Sequence, residues 1–274
     1  MAVEFWWARV LHAPEALGVS RRLVRGGAES LRAALGEAEV AAEGGPLAVL
    51  EALRGHGGSL RLRVANAGAC GDLGCLFAAA AVSAGGFGHG PGFVRTRERK
   101  GSCWISLPAA VEPLGSPAAP LAAALGRAAP RGELVRVLRA GEARVLVQHA
   151  EEPAALALLE VPRPQLFAYL RGEGLDAVCL YARARSGALV ARTFAASEEG
   201  REVRGTLATA LVLACAAAPK HAVRVVEGRG AGRRRVGYWL RSAAGECVEV
   251  GAAVRLLGRG RLLPRGAEEA RRAC

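Results

Sequence analysis

Two short segments combine a glycine turn with residue types that can bind a ligand or react, and each stands directly before an apolar run. The first is Cys70-Gly71-Asp72 and the second is Arg204-Gly205-Thr206. A helix that begins at such a turn directs its unpaired N–H groups and the positive end of its dipole at the turn, which favours an anion there. Glycine also lets a backbone approach a ligand closely. The alternative is that both segments are plain helix-starting turns.

Cys70 is one residue of these segments that could itself exchange a proton. A cysteine at a helix N-terminus has a lowered pKa, so its thiol could hold or release a proton near neutral pH. The alternative is a buried and inert thiol, because free cysteines commonly behave as small hydrophobic residues.

Other common site chemistry has no support in the sequence. The seven cysteines are scattered without a C-x-x-C pair, and the five histidines share no spacing, so neither a zinc site nor a disulfide framework is predicted. The glycine-rich run GRGAGR (228–233) lacks the pattern of a phosphate-binding loop. We therefore expect no metal ion and no cofactor.

The elements that must position these segments alternate between strands and helices. β-branched and aromatic residues bounded by Gly, Pro or Ser predict strands at 3–11, 59–66 and 102–108. A helix is predicted from Ser20 to residue 41, with a weak cap signal at Ser20.

The pattern restarts after a proline-rich crossover at 115–133. Two hairpins are predicted around the A-G-E turn (140–142) and the S-G turn (186–187), and ALALLEVP (155–162) is predicted to be a further strand.

Two apolar helices, near 74–83 and 205–217, have no polar face, so the strands around each one must bury it. The sequence therefore predicts an α+β protein of two β-rich halves, residues 1–114 and 115–274, each wrapped around one central helix.

Composition narrows the class of protein. The chain has 274 residues, 51% of them hydrophobic, and a net charge of +12. This apolar fraction excludes an intrinsically disordered polymer. The start of the chain lacks the pattern of a signal peptide, and its longest apolar runs are shorter than the ~20 residues that span a bilayer. We expect a soluble, cytoplasmic protein that binds no membrane.

The charge is concentrated near the end of the chain. Residues 220–274 contain 13 Lys or Arg and 5 Glu, including the run Arg233-Arg234-Arg235 next to Tyr238 and Trp239. Such a segment can bind phosphates or nucleic acid. A solvated strand face in an arginine-rich chain is the interpretation that we favour, so we do not expect nucleic acid to be a partner.

Motifs in both halves resemble those of the phenazine-biosynthesis-like (PhzF-type) proteins, relatives of diaminopimelate epimerase. ACGDLGCLFAAA (69–80) is similar to the family's C-G-H-x-T-L-x-A-A. VARTFAAS (190–197) and REVRGTLATALV (201–212) are similar to R-x-F-A-P and E-D-P-x-T-G-S-A. GAAVRLLGRGRLL (251–263) is similar to the final G-x-A-V-x-x-x-G-x-L. The order and spacing of these motifs extend over about 200 residues, whereas the first ~55 residues match poorly.

The resemblance implies a diaminopimelate epimerase-like fold and cofactor-independent proton transfer on a small carboxylate-bearing metabolite. It places Gly71, Gly205 and Thr206 at the substrate carboxylate. It also leaves a homodimer open.

The proton-transfer groups depart from the family pattern. Asp72 stands where the family has His, and the Asp of E-D-P is absent. Glu43 is the nearest counterpart of the family's first-half Glu, and Cys70 is an alternative thiol. Thr209 stands near the position of the second cysteine of diaminopimelate epimerase and cannot replace it as a base.

Three functional hypotheses follow from these observations. The leading one is an isomerase that uses Glu43, Asp72 and Cys70. The second is a catalytically inactive descendant that serves as a scaffold or binding module. The third is nucleic-acid binding through the basic C-terminal segment.

Overall fold

The computed structural model describes twelve stretches of the chain, which carry the elements and the site below: residues 3–12, 18–26, 47–52, 60–65, 68–83, 85–89, 92–99, 101–109, 111–125, 135–228, 235–242 and 247–262.

The described elements of the first half are strands with one helix. They are β1 (Val3–His12), β2 (Val19–Gly26), β3 (Leu47–Ala52), β4 (Leu60–Ala65), α1 (Leu73–Ala80), β5 (Gly86–His89), β6 (Gly92–Arg99) and β7 (Ser102–Pro108). The described elements of the second half include four helices. They are β8 (Val111–Gly115), α2 (Leu121–Leu125), β9 (Val135–Ala140), β10 (Ala143–His149), α3 (Pro153–Leu158), α4 (Arg163–Gly172), β11 (Ala177–Arg183), β12 (Leu189–Ala195), β13 (Arg201–Val203), α5 (Leu207–Ala217), β14 (Val223–Glu227), β15 (Val236–Ser242) and β16 (Cys247–Leu262).

The first half is a closed barrel around α1. Its strands pair in the order β1-β2-β3-β4-β5-β6-β7-β16, and β16 returns to β1. Every residue of α1 is buried. The helix carries no charged side chain that would need water, so the barrel wall can surround it on all sides.

The second half is a curved sheet that holds α5 on one face. Its strands run in the order β15-β14-β12-β11-β10-β9-β8. The residues from Ala208 to Ala214 are all buried. The short helices α2, α3 and α4 cover the opposite face through a second apolar cluster that includes Leu125, Leu156 and Leu170.

Strand β16 belongs to both halves. Its first residues, 247–252, lie between β7 and β15, and its later residues, 253–262, pair with β1. Gly251 lies where the indole of Trp104 presses on the strand, and a Cβ there would come within 2.4 Å of that ring. Strand β16 thus completes the barrel of the first half, although the predicted division at residue 115 assigned it to the second half.

The predicted fold is confirmed, as are its two buried helices, with small shifts in their ends. The predicted strands at 3–11, 59–66 and 102–108 correspond to β1, β4 and β7. Both predicted hairpins are present as β9-β10 and β11-β12.

Two predicted elements are wrong. The helix expected from Ser20 begins as strand β2, because Leu23 packs into the barrel core while Arg21 and Arg22 pair with β1 and Arg22 also pairs with β3. Residues 27–41 of that prediction lie outside the described residues. Of the strand expected at 155–162, residues 155–158 are instead the end of α3, which has Pro153 in its first turn, and residues 159–162 belong to neither a helix nor a strand. Proline is well suited to that position, and Ala and Leu after it are strong helix formers.

The burial of α1 can be tested by removing one side chain. Leu76 is fully buried in α1, so Leu76→Ala should lower the free energy of unfolding by about 2 to 5 kcal/mol, through lost burial and the cavity left behind. Leu158→Ala is the matched control, because Leu158 is 76% exposed. Urea denaturation followed by circular dichroism measures both, and equal effects of the two changes would contradict this fold.

Candidate functional site

The two glycine turns meet in the structure. The N–H of Leu73 donates to the carbonyl oxygen of Gly205 at 2.8 Å, and the N–H of Ala208 donates to the carbonyl oxygen of Cys70 at 3.0 Å. Gly71 and Gly205 share the same left-handed backbone conformation, with φ of +64° and +65°. Each central helix therefore begins against the turn of the other, as expected for two similar halves.

The N–H groups of the two glycines are not free for an anion, which corrects the expectation from the sequence. Gly71 donates to the carbonyl oxygen of Gly68 at 3.2 Å, and Gly205 donates to the carboxylate of Glu227 at 2.9 Å. A Cβ on Gly205 would lie 2.6 Å from the side chain of Leu11. A role of these two N–H groups in binding a substrate carboxylate would require the turns to open.

Asp72 is held by the protein on both carboxylate oxygens. Its Oδ1 accepts the N–H of Cys75 at 2.6 Å and thereby caps α1. Arg21 donates to Oδ1 from Nε at 2.8 Å and to Oδ2 from Nη2 at 2.5 Å. This two-pronged geometry is the strong form of an Arg–carboxylate pair. The structure gives Asp72 a role as helix cap and ion-pair partner, and its expected role as a proton-transfer group stays a prediction.

Cys70 does not have the lowered pKa expected from its place before a helix. Burial raises the pKa of its thiol to about 12, and the carboxylate of Asp176 adds to the shift. The desolvation of the charged form outweighs the effect of the helix terminus here. Cys70 is thus a protonated thiol at neutral pH, which opposes its expected catalytic role.

Thr206 turns its hydroxyl group into the protein. Its Oγ1 accepts the N–H of Thr209 at 3.1 Å and so caps α5. The same oxygen lies 2.7 Å from Oγ1 of Thr209, which in turn lies 2.9 Å from Oγ1 of Thr193. All three hydroxyl groups are buried, so Thr206 fixes the start of α5 and its expected contact with substrate has no support in this arrangement.

Glu43, the proposed base, lies outside the described residues, so its position relative to the turns stays a prediction.

Two further residues of the site were missed by the sequence interpretation. Arg21 was assigned to a predicted helix, and its pairing with a residue 51 positions away has no local signal. Glu227 is fully buried behind Gly205, where it accepts the N–H of that glycine and the hydroxyl of Tyr238 at 2.6 Å. Its place at the end of an apolar strand, just before Gly228, was the only signal in the sequence.

Glu227 carries the most perturbed carboxyl group of this region. Burial raises its pKa to about 7, although the hydrogen bonds from Tyr238 and Gly205 act in the opposite direction. It can therefore gain or lose a proton near neutral pH. It is enclosed by protein, so it affects the site through Gly205.

A cavity of about 560 Å³ opens beside the two turns. Its described walls are mostly aliphatic, and both halves contribute to them. The residues that line it are Val64, Gly68, Ala69, Cys70, Gly71, Asp72, His89, Val94, Leu107, Pro108, Ala140, Gly141, Glu142, Leu207, Ala208 and Leu211. We call this cavity the cleft.

His89 and Glu142 supply the other titratable groups of the cleft wall, one from each half. Burial lowers the pKa of His89, partly opposed by a hydrogen bond to the backbone of Leu62. Its imidazole is therefore neutral at pH 7. Glu142 is exposed at the β9–β10 turn.

Solved structures of other proteins share this architecture. A PhzF-family protein from Enterococcus faecalis aligns with a TM-score of 0.66 at 15% identity, over 96% of this chain and 100% of that one. A PhzF-family protein from Bacillus anthracis aligns with a TM-score of 0.62 at 12% identity, over 96% and 99%. A predicted epimerase from Pseudomonas aeruginosa aligns with a TM-score of 0.63 at 18% identity, over 95% and 99%. No protein-family model and no curated protein sequence matches this chain.

This chain has the PhzF-like fold. This is the fold that the sequence motifs predicted. At identities of 12 to 18%, the similarity shows the fold alone. The chemistry of the site depends on the residues of this chain.

Two further observations bear on the site. Among the described residues, no group of three His, Cys, Asp or Glu side chains is arranged to hold a metal ion. In the same part of the chain, no helix is long and apolar enough to cross a membrane.

The raised pKa of Glu227 predicts a pH-dependent stability. Between pH 4.5, its ordinary value, and about 7, the folded state holds a proton that the unfolded chain has released. The contribution of Glu227 to the free energy of unfolding is therefore fully present below pH 4.5 and is lost as the pH rises through 7. Glu227→Gln should abolish this pH-dependent loss of stability. Since one pKa unit corresponds to about 1.4 kcal/mol, the wild-type protein should lose on the order of 3 kcal/mol in the free energy of unfolding between pH 4.5 and pH 8, and the variant should not.

Urea denaturation at pH 4.5 to 8 checks this prediction. Tyr238→Phe is an informative second variant, because it removes a hydrogen bond that lowers the pKa of Glu227, so the loss should extend to higher pH. Parallel pH profiles for wild type and Glu227→Gln would contradict it.

Proposed function

We propose that this PhzF-like protein binds a small carboxylate with an apolar body in the cleft and does not transfer protons through Asp72 or Cys70. One observation carries the proposal. Asp72 stands at the position of a proton-transfer group in the motif it resembles, and here it is an ion-paired helix cap. Three protein hydrogen bonds, two of them from Arg21, hold this carboxylate in a structural role, so a ligand would have to compete with them for its oxygens.

The cleft suits a ligand with an apolar body. Its volume falls within the roughly 300 to 1,000 Å³ of typical small-molecule sites, which are also mainly apolar. Leu207 and Leu211 from α5 face the cleft together with Val94 and Leu107 from the barrel. An aliphatic or aromatic ring can therefore contact both halves at once.

The two helix N-termini favour one negative group on that ligand. α1 and α5 both begin at the cleft, and each positive dipole end stabilises an anion by roughly 0.3 to 1 kcal/mol. Asp72 does not cancel this effect, because the guanidinium of Arg21 neutralises its charge. A carboxylate that reaches the turns is therefore favoured over the matching amide.

Isothermal titration calorimetry with benzoate and benzamide tests this proposal, since the two probes share the ring and differ in charge. We expect benzoate to bind more tightly, and Ala69→Phe to weaken its binding at least tenfold. Ala69 is exposed and lines the cleft, so the larger side chain fills the cavity without disturbing the core.

Ala154→Phe is the matched control, because Ala154 is equally exposed on α3 and does not line the cleft. Equal binding of benzoate and benzamide, or an equal loss in the two variants, would contradict the proposal.

Proton transfer in the cleft is the second candidate function, and His89 is the observation that favours it. A neutral imidazole on the wall of a ligand cavity can accept a proton. Mandelate has a carboxylate, a ring and a hydrogen on its α-carbon, so deuterium entry at that carbon in D₂O reports the reaction by NMR. Deuterium exchange would establish proton transfer in place of simple binding if His89→Gln abolishes the exchange and Asp72→Asn leaves it intact.

A further inference from the structure

A second cavity, of about 590 Å³, lies at the opposite end of α5 from the cleft. Leu211 of α5 lines the cleft and Ala217 lines this second cavity, so the two linings are about 9 Å apart along the helix axis at 1.5 Å per residue. Three segments form it: the β11–β12 turn with Arg183, the end of α5 through Lys220 and His221, and the neighbouring strands with Arg224 and Trp239. We call it the basic groove.

The charges that line the basic groove have one sign. Arg183, Lys220 and Arg224 are cations, and no Asp or Glu is among the described residues that line it. Arg183 is anchored to the β11–β12 turn by a hydrogen bond from Nη1 to the carbonyl oxygen of Gly187 at 3.4 Å. A concave site with three cations around it raises the local concentration of anions.

An exposed indole forms part of the same wall. Trp239 is 41% exposed, although its neighbours Tyr238 and Leu240 on β15 are buried. The guanidinium of Arg224 lies 6.0 Å from the centroid of the indole, at the limit of a cation–π contact. An exposed tryptophan is a platform for an aromatic ring, and such stacking contributes about 1 to 3 kcal/mol per nucleic-acid base.

One feature opposes anion binding. The groove lies at the C-terminal end of α5, where the helix dipole is negative and worth about 0.3 to 1 kcal/mol. Ala214, whose carbonyl is among the last of the helix, already accepts the N–H of Ala218 and the hydroxyl of Ser242. The full charges of Arg183 and Lys220 outweigh the partial charge that remains.

The cavity at the corresponding end of α1 shows that the combination of cations and an exposed indole is particular to the second half. A cavity of about 430 Å³ lies there, with Glu98 next to Arg97 and no aromatic residue among its described lining. The repeated architecture therefore does not by itself produce a basic, aromatic site.

We propose that the basic groove binds a nucleoside phosphate, with the phosphate group between Arg183 and Lys220 and the base on Trp239. The site uses no glycine-rich phosphate loop. Arg235 is not among the described residues that line it, and Arg233 and Arg234 lie outside the described residues.

Isothermal titration calorimetry with AMP, adenosine and inorganic phosphate at 50 and 200 mM salt tests this proposal, because its signal does not depend on Trp239. We expect AMP to bind at least tenfold more tightly than either fragment, with an affinity that falls as salt rises. The double variant Arg183→Gln/Lys220→Gln should weaken AMP binding at least tenfold and flatten its salt dependence. Trp239→Leu should weaken AMP and leave phosphate binding unchanged.

Matched controls are Arg171→Gln on α4 and Trp7→Phe on β1, because both residues are exposed and neither lines the groove. Equal binding of AMP and inorganic phosphate would overturn the proposal, as would equal losses in the groove variants and the controls. Octathymidylate is the last probe. If it binds more than tenfold more tightly than AMP, through the same residues, the proposal would also be overturned, because the groove would then be part of a binding surface for single-stranded DNA.

Discussion

The reciprocal hydrogen bonds between the starts of α1 and α5 are the constraint on which the site depends. Leu73 donates to Gly205 and Ala208 donates to Cys70, so neither central helix can shift without breaking a buried bond of the other. Glycine is required at both turns because the backbone is left-handed there. The barrel and the curved sheet then bring their apolar interiors to this junction, and the cleft opens beside it.

The same constraint explains why polar groups at the junction support the structure instead of facing a ligand. Asp72 and Thr206 cap the two helices, and Glu227 accepts the N–H of Gly205. Arg21 then compensates the buried charge of Asp72, since an isolated carboxylate there would be costly. What remains accessible in the cleft is mainly aliphatic surface with His89 and Glu142 at its wall, which is the composition of a binding site.

The sequence predicted the parts of this structure that depend on periodicity and order of motifs. The apolar runs at 74–83 and 205–217 predicted buried helices because neither has a polar face. It failed at Ser20 and at residues 155–162, where the tertiary setting decided between helix and strand. The partnership of Arg21 with Asp72 and the burial of Glu227 depend on residues distant in the chain, so local patterns contained no signal for either. The motif around Asp72 suggested catalysis, but it could not show that Arg21 would neutralise the charge of that carboxylate.

A double-mutant cycle on Arg21 and Asp72, measured by urea denaturation at pH 7, tests the central claim most directly. Removing one partner of a buried pair leaves the other charge unpaired, so Asp72→Asn and Arg21→Met should each lower the free energy of unfolding by about 3 kcal/mol. The double variant should lose less than the sum, with a coupling free energy of about 2 kcal/mol. Additive losses, or an Asp72→Asn protein as stable as wild type, would contradict the claim that Asp72 is a structural clamp and would return it to the candidates for proton transfer.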